Sequence, residues 1–349
     1  MTAFPFGPET EYIDVPKSLG LSPCVRFINK LRTLPPADHY VFDFDGVTWC
    51  PPFSQLILAS EIERFTTVRE GTEMSYLNYE HMTYPAHMGF FQAFGLEFGK
   101  RPGEASGSST YIPLTLYNCD VLKAEASAEY ARVEELVERK SLELACILAQ
   151  RDSGPIVDAL SYALREIIRN VVEHSESDQF GLCAQYWPDQ NRAEVGILDR
   201  GIGIRRSLVN NPSLRIANDR DALNLALMPG ISSKPSGKRG SKLEGVWAHS
   251  GLGLYMTQRI CRTGGTFFIV SYEAALHLTA TAKQLISLSF EGTALCLSLE
   301  LSCLKTFDQD FNRFRSDGRE IAKRLTGKPS NAIATASELL TTNFRQQTS

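Results

Sequence analysis

Residues 195–203, Val-Gly-Ile-Leu-Asp-Arg-Gly-Ile-Gly, constrain the fold of this chain more than any other stretch. An apolar run with strand alternation ends in Asp199, and two glycines, Gly201 and Gly203, then turn the chain. Alternation puts Asp199 on the same face as Val195 and Ile197, so a carboxylate closes a buried strand. Such a carboxylate needs a donor, and the exocyclic amine of a purine is one. The glycines leave room for a ligand to come close to the backbone. A plain turn after a strand would have the same appearance, so the surrounding sequence has to decide.

Upstream, Ser153-Gly154-Pro155 opens a helix that runs to His174. Leu160, Leu164, Ile167, Ile168 and Val171 form its apolar stripe, and Glu166 and Asn170 lie one turn apart, roughly opposite. An amide oxygen can ligate the hard cation Mg²⁺, and a carboxylate can orient or deprotonate a nucleophile. For this pair alone an exposed polar face is the plainer reading. Downstream, the pattern predicts strands at 180–187 and 193–199, an irregular stretch at 205–249 and a helix at 251–262. Three more strands are expected at 266–271, 284–290 and 293–301. Ser250-Gly251-Leu252-Gly253 opens the helix, where backbone N–H groups make an anion site. Gly292-Thr293 opens the last strand with a hydroxyl that can reach a base through water.

These pieces carry more together than apart. Glu166-Ile-Ile-Arg-Asn170-Val-Val-Glu-His174 resembles the N box of the GHKL ATPases, the class of DNA gyrase and the histidine kinases. Asp199-Arg-Gly201-Ile-Gly203 resembles their G1 box, His249-Ser250-Gly251-Leu252-Gly253-Leu254 their G2 box, and Gly292-Thr293 their closing strand. The resemblance covers roughly residues 125–302 and implies a two-layer α/β sandwich, the Bergerat fold, that binds ATP with Mg²⁺. It implies that Asn170 holds the metal, Glu166 is the general base and Asp199 recognises adenine. Gly201, Gly203, Gly251, Leu252 and Gly253 would shape the nucleotide pocket, and Thr293 would assist at the base. Residues 205–249 would be the ATP lid, which contains Lys234, Lys238, Arg239 and Lys242. Gly230-Ile-Ser-Ser-Lys234 is its candidate γ-phosphate contact. His174 reads as a helix-end cap.

The rest of the chain reads as an N-terminal segment (1–20), a small α/β domain (21–120), a connecting helix (121–150), the ATP-binding domain (151–304) and a helix with a polar tail (305–349). In the small domain, strands are expected at 40–45, 74–80 and 111–116, and helices at 52–64 and 86–98, which implies mainly parallel pairing. Val41-Phe42-Asp43-Phe44-Asp45-Gly46-Val47 resembles the first motif of haloacid-dehalogenase-type phosphatases, but the downstream groups of that family are missing. Asp43 and Asp45 therefore read as solvent-facing, with Val41, Phe42 and Phe44 packed. The element pattern more closely resembles a STAS-like domain, the regulatory module of anti-sigma-factor antagonists.

A net charge of -4 and a pI of about 5.9 argue against holding nucleic acid by bulk charge. The eight cysteines are scattered, with no Cys-x-x-Cys pair, which points to a reduced cytoplasm rather than a zinc site or disulfide framework. No apolar run approaches the roughly 20 residues needed to span a bilayer. Residues 121–150 contain no histidine, so histidine autophosphorylation is not expected. Three activities stay open. The chain is an ATP-hydrolysing switch, a serine/threonine kinase of the anti-sigma-factor type acting on a partner, or a nucleotide-binding regulator without turnover. ATP and Mg²⁺ are the expected ligands, and a protein partner or homodimer gated by nucleotide is the expected output.

Overall fold

The computed structural model describes residues 9–106, 108–233 and 252–326. The chain divides into two compact units. One reaches from the start of the described chain to residue 106 and includes residues 113–116; the other holds residues 108–112 and everything described from 117 onward.

The smaller unit is built on a three-stranded sheet in the order β1 (Thr10–Asp14), β2 (His39–Asp43), β3 (Glu73–Leu77), paired in parallel throughout. Between them run α1 (Leu21–Thr33) and α2 (Pro52–Thr67), followed by the short α3 (Thr83–His87). Tyr40, Val41, Phe42 and Phe44 are buried, as a strand covered on both faces requires, while Asp45 is exposed. The third strand of this sheet is β1, within the segment expected to be a mere N-terminal lead. Residues 111–118 instead join the other sheet. The helix expected over 86–98 is also absent. Gly89 and Gly95 take positive φ and leave only α3 and a single 3₁₀ turn at Gln92–Phe94. Phe90, Phe91 and Phe94, within the span of the expected helix, form an aromatic cluster instead, with the Phe90 and Phe91 rings 4.9 Å apart.

β4 (Tyr111–Asn118), whose residues 113–116 are counted with the smaller unit, leads into α4 (Cys119–Ala128) and α5 (Val133–Ala149) of the larger one. Residues 121–150 are therefore two helices rather than one. The Asn118 side chain caps α4, Tyr130 turns the chain at φ 54°, and at the start of α5 the Glu135 carboxylate accepts from the backbone N and the Nε of Arg132. α6 (Pro155–His174) follows as expected, then β5 (Gln179–Trp187) and β6 (Arg192–Asp199). The stretch expected to be irregular from 205 contains α7 (Gly203–Val209) and α8 (Asp219–Ala226) in its described part. Asn218 caps α8 by accepting a hydrogen bond from Asp221 N at 2.9 Å, and Ala222, Leu223 and Leu225 bury its inner side.

α9 (Gly253–Gly264) leads into β7 (Thr266–Tyr272), β8 (Ala274–Leu278), β9 (Lys283–Ile286) and β10 (Phe290–Glu300), and α10 (Phe307–Thr326) ends the described chain. Where one strand was expected at 284–290, β9 stops at Ile286 and Phe290 already belongs to β10. β8 was not foreseen; a turn at Tyr272, φ 51°, folds it back onto β7. The sheet order is β4-β5-β6-β10-β7-β8-β9, antiparallel from β5 to β9.

Leu182, Val195, Ile197, Phe267, Ile269, Leu295 and Leu297 share one sheet face and form a single core with the stripe of α6 and with residues of α5 and α9. The protein is thus mixed α/β, with helices packed on one face of an antiparallel sheet. Among the described residues no helix is long and apolar enough to cross a membrane.

Candidate functional site

Pairing of β6 with β10 sets Thr293 opposite Asp199, and pairing of β10 with β7 sets Thr293 opposite Ser271. The C-terminal end of β6 therefore meets the start of β10 beneath α6, whose stripe presses on the sheet and leaves Glu166 and Asn170 on its flank. α9 packs alongside α6. Between these elements lies an open cleft of about 1080 Å³, solvent at its mouth included. Glu166, Asn170, Asp199, Gly203, Leu252, Gly253 and Thr293 all line it. Gly201 is not among the lining residues; its backbone N–H donates to Asp199. Lys234 and Gly251 lie outside the described residues, as do Lys238, Arg239 and Lys242.

Asp199 is 3% exposed. Its Oδ1 accepts a hydrogen bond from Gly201 N at 2.9 Å, and Oδ2 has no hydrogen-bond partner among the described residues. Burial pushes its carboxyl up from 3.8 to about 6, against the lowering effects of the Gly201 bond and nearby Arg200. A buried carboxylate with one oxygen unused is matched by a ligand that brings a donor. The turn beyond it is tight: Ile202 N donates to the Ser175 carbonyl at 2.7 Å, and a Cβ on Gly201 would collide with that same oxygen.

Glu166 Oε1 accepts from Arg165 at 3.2 Å, and Arg165 also reaches Glu138 at 3.4 Å. The first residue of α9 comes so close that a Cβ on Gly253 would collide with the Glu166 carboxylate. A helix start without side chains thus stands beside an acid and an amide, and its free N–H groups favour anions. His174 lines the cleft too, with its Nε2 3.7 Å from Glu173, which also accepts from Arg169 at 2.7 Å. Among the described residues no three His, Cys, Asp or Glu side chains converge on a metal position. A cation at Asn170 would therefore draw most of its oxygen ligands from phosphate and water, the usual habit of Mg²⁺.

Several residues at the cleft had no motif to announce them. Ser271 is buried beneath it rather than lining it; its Oγ accepts from Ile204 N at 3.0 Å, donates to the Gly292 carbonyl at 3.0 Å and lies 3.3 Å from Thr293 Oγ1, and both Ile204 and Thr293 line the cleft. It ties the start of α7 to the floor of the cleft. Its only sequence signal is a hydroxyl at the end of the apolar run Phe267–Val270. Ser207, Ile231, Ser232 and Ser233 form another wall. There the buried Asn211 donates from Nδ2 to the Ser232 carbonyl at 2.8 Å.

No family model, curated protein or solved structure matches this chain.

Proposed function

We propose that this chain is an ATP-binding protein of the GHKL class that hydrolyses ATP with Mg²⁺ and acts as a nucleotide-driven switch. The observation that carries the reading is the meeting of four separate motif pieces, from α6, β6, α9 and β10, around one cleft with a half-used buried carboxylate. A helix layer on an antiparallel sheet is also the architecture that the resemblance implies.

In this reading Asp199 accepts a hydrogen bond from the exocyclic amine of adenine at Oδ2, and Thr293 and Ser271 hold the polar edge beside it. The start of α9 offers its N–H groups to the phosphates. Mg²⁺ would be held by the amide oxygen of Asn170 and would supply neutralising charge at the phosphates. Glu166, oriented by Arg165, takes the proton of the attacking water. The output is a changed interface with a protein partner or with a second copy of the chain. The parallel sheet of the smaller unit suits a STAS-like regulatory module that takes part in that output.

Isothermal titration with Mg-ATP tests the assignment. The wild-type chain is expected to bind, Asp199→Asn to lose binding, and Glu166→Ala to bind while releasing phosphate about a hundredfold more slowly. Normal binding by Asp199→Asn would overturn the adenine contact.

A further inference from the structure

α10 lies outside the motif resemblance, yet it touches three walls of the cleft from behind. Its Phe311 ring meets Tyr162 of α6 edge-on at 5.1 Å, one turn before Glu166. A turn or two further on, Gly318 lies against the entry to α9: a Cβ there would sit 2.8 Å from the Tyr255 ring and 3.0 Å from Leu252 Cδ2. One turn beyond, Ala322 meets Gly230, whose own Cβ position would be 2.8 Å from the Ala322 methyl. Leu252 lines the cleft, and Gly230 directly precedes the lining residues Ile231, Ser232 and Ser233. Gly318 and Ala322 are four residues apart and so face the same way.

The contact is close but not locked. Arg259 reaches Asp317 at 3.3 Å and stacks on Phe314 at 4.7 Å. Tyr255 Oη and Arg313 Nε, however, are buried without a hydrogen-bond partner among the described residues. Buried polar groups are ordinarily hydrogen-bonded, so these two atoms mark the α9–α10 contact as incompletely matched.

We propose that α10 is a positioning element of the nucleotide site, with Gly318 and Ala322 holding the entry to α9 and the Gly230–Ser233 wall at the spacing that nucleotide requires. The inference rests on the ATP reading and adds a route from the cleft to the C-terminal part of the chain. Because coupling is reciprocal, whatever moves α10 changes nucleotide affinity, and nucleotide changes the stability of α10.

Two measurements on the full chain test this. In hydrogen exchange with Mg²⁺ and a non-hydrolysable ATP analogue, the α10 amides around residues 315–324 are expected to exchange more slowly than without nucleotide. Gly318→Leu is expected to weaken analogue binding by about tenfold, within the usual range of coupling between sites. Gly318→Ala should weaken it less, although alanine favours helix, so the loss cannot come from a weaker α10. If the wild-type chain binds no nucleotide, the ATP reading falls and this inference with it. If it binds, but α10 exchange is unchanged or Gly318→Leu keeps wild-type affinity, the inference alone is overturned.

Discussion

Asp199 concentrates the site into a single side chain. Raising a carboxyl from 3.8 to about 6 corresponds to about 3 kcal/mol against the charged form, and the burial responsible is visible at 3% exposure. Between 3.8 and about 6 the folded chain binds more protons than the unfolded one. Stability therefore falls as pH rises through that window, and the full cost is present above about 6. Without nucleotide, Asp199→Asn should melt above wild type at about pH 8, and the gap should close toward about pH 5. Thermal unfolding across that range checks it; a gap that widened on acidification would contradict the burial argument. Asp199 could be found from sequence because an acid at the end of an apolar strand is a local anomaly. Ser271 could not, because its importance comes from a pairing with Thr293 across two strands far apart in the chain. Motif logic sees residues that share a helix or a turn, whereas register is written in the sheet as a whole.

At the scale of elements, amphipathic periods long enough to average out accidents were legible. α6, with its stripe and its proline start, was expected where it stands. Shorter elements depended on single residues. One left-handed residue, Tyr130, and the Glu135 carboxylate that accepts from Arg132 divide the expected 121–150 helix, and two glycines undo the one expected at 86–98. β1 and β8, five residues each, carry too little alternation to stand out. The start of α9 shows how an element can be fixed by what it lacks. A methyl at residue 253 has no room beside the Glu166 carboxylate, which is the far end of a side chain and can be pushed aside. Gly253→Ala should therefore leave the chain folded and displace Glu166. The expected result is a fall in phosphate release of about tenfold or more, with circular dichroism unchanged. Full activity in this variant would mean that the approach of α9 to Glu166 has no catalytic consequence.

For the whole molecule, the sequence left hydrolysis, phosphotransfer to a partner and binding without turnover open. Histidine is the acceptor in one branch of the resembling class, and the chain has six. His39 is bound to Ser75 Oγ at 2.8 Å and His81 to the Val47 carbonyl at 2.9 Å, both within the smaller unit, where His87 also lies. His277 sits half-buried on β8, its basicity lowered by burial, and His249 is outside the described residues. His174 is inside the cleft itself, beside Glu173 at the end of α6. α4 and α5, the helices that precede the elements of the cleft, carry none. His87 closes α3 and His174 closes α6, and both are half-buried at those helix ends. Glu166, by contrast, stands where water can enter the mouth of the cleft. ATP labelled at the γ-phosphate should therefore yield free phosphate, with no acid-labile label on the chain. Acid-labile label would point to histidine transfer and acid-stable label to a serine or threonine acceptor. Either result would replace hydrolysis with phosphotransfer in the proposed function while leaving the cleft as described.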